Sequence, residues 1–155
     1  MNGIDYGYIC IFRLAQMLNT RYIEPMREEV ASWSEKLRAL GEILELWLEV
    51  QDMWLGAENI FNNPSAGKDI ALESKRFVRV DKTWLKTQRQ SSEIRNVLQC
   101  CLSEPPKKGI LKEIHKELEI CNKSITLYLF IHENNRGFIK LKPLHSQSTF
   151  YDSAN

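Results

Sequence analysis

The chain has 155 residues, 43% of them hydrophobic and 26% charged, enough for one domain with a real apolar core. Its 21 basic and 20 acidic residues nearly cancel to a formal charge of +1, so bulk electrostatics favours neither nucleic acid nor an anionic membrane as partner. The apolar run Tyr8 to Phe12 stops at Arg13 and has no basic residues before it. It is therefore too short for a membrane span of roughly 20 residues and wrongly flanked for a secretory signal.

In chain order, residues 1–16 contain Gly3 and Gly7 and carry no defined element. A long helix is predicted from Pro25, whose fixed φ and missing N–H suit a first turn, with Glu28 and Glu29 at the positive end of the helix dipole. It runs to Phe61, with Gly41 a weak point that costs about 1 kcal/mol relative to alanine. Along it, every seventh residue is large and apolar: Trp33, Leu40, Trp47, Trp54 and Phe61. Leu37 and Leu44 fill the alternating positions, which makes one packing seam that must bury its aromatic surface against other helices. The next positions in that series are Gln51 and Glu58. Two readings stay open there: polar residues that fix the register between helices, or a helix that rotates out of its seam.

Asn62 to Gly67 reads as a loop. A second helical stretch begins near Asp69, with Phe77, Val80, Trp84, Leu85 and Gln88 at three- and four-residue spacing. The stretch Ser92 to Leu102 continues the pattern through Ile94, Val97, Leu98, Cys101 and Leu102; whether Gln88–Ser91 joins the two is open. Pro105-Pro106 ends it. A last helix is predicted from Lys108 to Phe130, on Leu111, Ile114, Leu118, Cys121, Ile125 and Tyr128. Residues 131–155 read as a divergent, frayed tail. No alternating run suits a sheet. The predicted fold is all-α, an extended bundle of three to four long antiparallel helices, with residues 17–130 as its domain.

A search for chemistry gives no catalytic, cofactor-binding or metal residues. Cys10, Cys100, Cys101 and Cys121 lack C-x-x-C spacing and read as reduced thiols. His115, His132 and His145 are scattered, and His115, between lysines, reads as solvated. Gly67-Lys68 lacks the remainder of a phosphate loop, and no G-x-S-x-G or G-x-G-x-x-G turn occurs. Lys75-Arg76, Arg79 and Lys82 make a small basic face without interleaved aromatics, which does not suit nucleic acid. The candidate site is thus the seam itself: Trp33, Leu37, Leu40, Leu44, Trp47, Gln51, Trp54, Glu58 and Phe61.

An ordered series of strings resembles the linker region of dynein heavy chains, the axonemal forms above all. It starts with Arg21-Tyr22-Ile23-Glu24-Pro25-Met26-Arg27-Glu28-Glu29-Val30, Trp33, Trp47-Leu48, Val50-Gln51, Trp54, Glu58 and Ile60-Phe61. It continues with Asp69-Ile70, Lys75-Arg76-Phe77, Val80-Asp81-Lys82, Trp84, Asn96-Val97-Leu98-Gln99-Cys100-Cys101 and Leu118-Glu119-Ile120-Cys121-Asn122-Lys123-Ser124. The resemblance covers residues 17–129. Gly56-Ala57 stands where the family usually has Tyr-Leu, and the segment after Leu129 departs from the family. The resemblance implies a fragment of a mechanical lever that serves ATP-driven motility along microtubules in the intact motor. Its implied partner is the rest of the heavy chain with its AAA+ ring, its implied place the ciliary axoneme, and ATP turnover belongs to the ring. It implies no cofactor, nucleic-acid or membrane partner for this segment, and contact with microtubules only through the intact motor. The alternative is a free-standing helical adaptor that binds partner helices.

Overall fold

A computed structural model describes residues 3–63 and 68–140, with side chains described over 7–63 and 68–134. Among the described residues all regular structure is helical. Helix α1 spans Gly3–Leu18, and a single 3-10 turn, Glu24–Met26, leads into α2, Arg27–Phe61. Helix α3 spans Ala71–Ser92, α4 spans Val97–Leu102, and α5 spans Lys107–Lys140. The bundle is all-α, as its periodicities require.

The N-terminal segment is more ordered than its glycines suggest. Gly7, Ile11, Leu14 and Leu18 recur at helical spacing and turn inward, so α1 is amphipathic despite Gly3 and Gly7. It lies antiparallel on the first half of α2, with Tyr8 hydrogen-bonded to Glu45 at one end and Arg27 donating to the Leu18 carbonyl (3.4 Å) at the other. Gly7, Tyr8 and Ile11 enclose a small cavity, ≈ 70 Å³, with Leu37, Leu40, Gly41 and Leu44. Helix α2 passes through Gly41 unbroken.

A break falls after Gln88–Ser91. Asn96 caps α4, its side chain accepting the Gln99 N–H at 3.0 Å, so α3 and α4 are separate helices. Helix α5 runs past Phe130 to Lys140, since an established helix elongates without a new nucleus even where apolar periodicity fades. The expected loop at Pro64–Gly67, and His145 with the tail from residue 141, lie outside the described residues.

The helices are not all antiparallel. Glu42 pairs with Lys108 and Glu49 with His115 (3.1 Å), each pair seven residues further along both helices, so α2 and α5 run parallel. Helix α3 runs against both: Phe61 meets Phe77 and Trp47 meets Trp84, while Arg76 meets Glu117 and Glu73 meets Ser124. Two short connections around α3 and α4 give this up-down-up order. Trp84, Ile43, Leu111, Leu118, Val50 and Cys121 form the fully buried centre.

Candidate functional site

Helix α2 meets its neighbours through the heptad series of Leu40, Trp47, Trp54 and Phe61, but the seam's inner row is Ile43, Val50 and Ala57. Those three are 1%, 0% and 0% exposed, one position before Leu44, Gln51 and Glu58. Leu37, Leu44, Gln51 and Glu58 are half-buried on the flank; Leu37 and Leu44 face α1. Trp33 is 42% exposed, with the Lys36 ammonium 5.3 Å from its ring centroid. The rotation has a physical cause. Full burial of Gln51 or Glu58 would cost hydrogen bonds to water, so these two stay half-buried while the apolar Val50 and Ala57 take the inner row.

Three elements share the resulting joint. From α3, Trp84 is fully buried between two tryptophans of α2, with ring centroids 5.8 Å from Trp47 and 6.4 Å from Trp54, both pairs tilted. Two turns on, Phe61 stacks on Phe77 at 4.9 Å. Such pairs contribute about 0.5–1.5 kcal/mol each beyond the area they bury. The Trp54 indole N–H donates to Asp81 Oδ1 at 2.9 Å, which fixes that ring's rotation. The buried Trp84 N–H meets no protein acceptor. Leu111, Ile114, Leu118, Cys121 and Ile125 of α5 close the third side.

On α3 the buried positions are Phe77, Val80, Trp84 and Thr87, while Leu85 is 44% exposed and Gln88 half-buried. Thr87 is tolerated there because its hydroxyl donates to the Thr83 carbonyl at 2.9 Å. His115 is not simply solvated: it is half-buried and reaches Glu49 from the parallel helix. Arg76 Nη1 donates to Glu117 Oε2 at 2.6 Å, and that carboxylate holds the guanidinium pKa above its ordinary value.

The sulfur chemistry is quiet. Burial pushes the Cys121 thiol up to about 11, and burial followed by the adjacent Cys100 pushes Cys101 up to about 11. Both stay protonated at neutral pH and are weak nucleophiles. Among the described residues no three His, Cys, Asp or Glu gather as metal ligands, and no helix is long and apolar enough to cross a membrane.

The geometry defines a packing element: parallel helices bridged by an antiparallel one, with aromatic rings interlocked where all three meet. The family model described as dynein heavy chain, N-terminal region 2, matches residues 10–135. The dynein gamma chain of the flagellar outer arm from Chlamydomonas reinhardtii is 39% identical over 116 residues, 75% of this chain and 3% of that protein. Dynein axonemal heavy chain 8 from Homo sapiens is 35% identical over 116 residues, again 75% of this chain and 3% of its own length. The dynein-1-alpha heavy chain of the flagellar inner arm I1 complex from Chlamydomonas reinhardtii is 32% identical over 117 residues, 75% of this chain and 2% of its own. The chain belongs to the dynein heavy chain family, through its N-terminal region 2. It spans a few hundredths of the length of these relatives.

Proposed function

We propose that this chain is a stiffening unit of the linker, the lever of an axonemal dynein heavy chain, and that its role belongs to ATP-driven movement along microtubules in a ciliary or flagellar axoneme. The observation that carries this reading is the interlock of Trp47, Trp54 and Trp84, closed by α5. A lever transmits displacement only if its helices cannot slide past one another. Rings seated in the centre of a three-helix joint oppose sliding, because any axial shift must unseat them from a close-packed interior. The seam of Trp33, Leu37, Leu40, Leu44, Trp47, Gln51, Trp54, Glu58 and Phe61 serves that stiffness in two layers. Leu40, Trp47, Trp54 and Phe61 pack in or against the core cluster, and Leu37 and Leu44 seat α1 on the same helix. In this reading the chain turns over no ATP itself, and its partner is the remainder of a heavy chain, including the AAA+ ring.

The test is a chimera in which residues 10–135 replace the matching segment of a related axonemal heavy chain. The expected result is retained ATP turnover and microtubule gliding, with Trp84→Ala in the chimera keeping ATP turnover but slowing gliding. Full gliding speed with Trp84→Ala would overturn the stiffness role. The adaptor reading would gain if the isolated chain bound a soluble helical partner and the chimera did not glide.

A further inference from the structure

The outward face of α3 carries Lys75, Arg79, Lys82, Lys86 and Arg89, spaced four, three, four and three residues apart. That spacing lines up five cations in one stripe about 21 Å long. All five are exposed, and none has an acidic partner at ion-pairing distance among the described residues. The two acids of α3 are engaged elsewhere: Asp81 accepts from Trp54, and Glu73 accepts from Ser124. From α5, Glu113 and Glu117 line a groove beside Arg76 and Arg79, but Glu117 is bonded to Arg76. Like charges at three- and four-residue spacing cost a helix about 0.2–0.5 kcal/mol per contact, so the stripe brings no stability to this fold.

Aliphatic side chains are interleaved with the charges. Val78 and Leu85 are 49% and 44% exposed and fall between Lys75, Lys82 and Arg89 in the same three-four rhythm. The aromatic residues of α3, Phe77 and Trp84, are buried on the other side, so no ring on this face is free to stack on a base. Two aliphatic side chains are also too narrow a strip for insertion into a bilayer.

We infer that this face of α3 docks an acidic amphipathic helix of a partner protein, whose carboxylates recur at three- and four-residue spacing with aliphatic side chains between them. The cations then meet carboxylates along the stripe, and Val78 and Leu85 pack between the partner's aliphatic residues.

Calorimetric titration of the full 155-residue chain tests this, using a helical peptide that repeats Glu-x-x-Leu-x-x-x. Controls are a scrambled peptide of the same composition, a single-stranded oligonucleotide and phosphatidylserine vesicles. Saturable peptide binding is expected, weakening roughly tenfold from low to physiological salt and at least about tenfold weaker for the scrambled peptide. The double variant Lys82→Glu, Lys86→Glu should lose at least about tenfold in affinity. Val78→Ser with Leu85→Ser should lose roughly three- to tenfold. Neither should melt below the parent by circular dichroism, since these side chains support nothing inside the bundle, and the charge reversal relieves two like-charge contacts, Arg79–Lys82 and Lys86–Arg89. Absence of peptide binding, equal binding of the scrambled peptide, or tighter binding of oligonucleotide or vesicle would each overturn the inference.

Discussion

Trp84 concentrates the energetics of the joint in one side chain. It has no exposed surface, touches two other indoles and leaves its N–H without a protein acceptor. Truncation to alanine opens a large apolar cavity and should cost about 3–5 kcal/mol. Trp84→Phe removes the unpaired donor while keeping a ring, so it should cost under about 1.5 kcal/mol. Urea midpoints of the two variants check this; equal losses would mean that the indole N–H does find a partner. The cysteines make a second residue-scale test. Cys10 is exposed, while Cys100, Cys101 and Cys121 are buried, so a thiol reagent at pH 8 should modify Cys10 quickly and the others only as the bundle opens. The thiols of Cys101 and Cys121 titrate near 11 in the folded chain against an ordinary value of 9.0. The folded state therefore holds these protons longer than the unfolded one. Their contribution is intact below about pH 9 and is lost as pH rises through about 11. Urea midpoints at pH 8 and pH 10.5 should show that fall, and a flat profile would contradict the burial of both thiols.

At the scale of elements, Gly41 and Gly56 stand inside α2, and a methyl group at either would meet no atom within 4 Å. Each change to alanine should raise stability by about 0.5–1 kcal/mol, read as a higher melting temperature. Helix α5 was legible in the sequence because Leu111, Ile114, Leu118, Cys121 and Ile125 are apolar, regularly spaced and buried, with only Tyr128 of the expected row left half-buried. Helix α2 was legible as a helix but not in its rotation. Leu44 and Ile43 are equally apolar, and only the polar side chains at 51 and 58 signalled that the inner row lay one position earlier. Thr87 could not be read as buried, because its hydroxyl is satisfied within its own helix and leaves no mark in an apolar pattern. The joint itself was out of reach. The Trp54–Asp81 bond spans 27 residues, and no local periodicity encodes which face of α3 meets which face of α2. Helix α1 was hidden by its glycines, whose propensity cost is outweighed by the packing of its half-buried face, Ile11, Leu14 and Leu18, on α2.

At the scale of the whole molecule, the described residues offer packing surfaces, and the sequence carries no phosphate-loop motif. Calorimetry of the isolated chain with ATP should show no saturable heat, whereas a saturable site would contradict the absence of a phosphate loop from its sequence. The pairing of Glu42 with Lys108 and Glu49 with His115 also sets the stagger of the parallel helices. In that register the start of α5 lies beside the middle of α2, and Tyr128 to Lys140 project beyond the end of α2. Carpenters would recognise a scarf joint: two beams overlapped along part of their length, each running on past the end of the other. Tension applied between the free end of one beam and the opposite free end of the other is shared along the entire overlap at once. Tension applied at one edge peels the beams apart contact by contact. In single-molecule pulling, handles at Arg27 and Asn134 should therefore need a distinctly higher rupture force than handles at Phe61 and Asn134, which load the same helices from one edge.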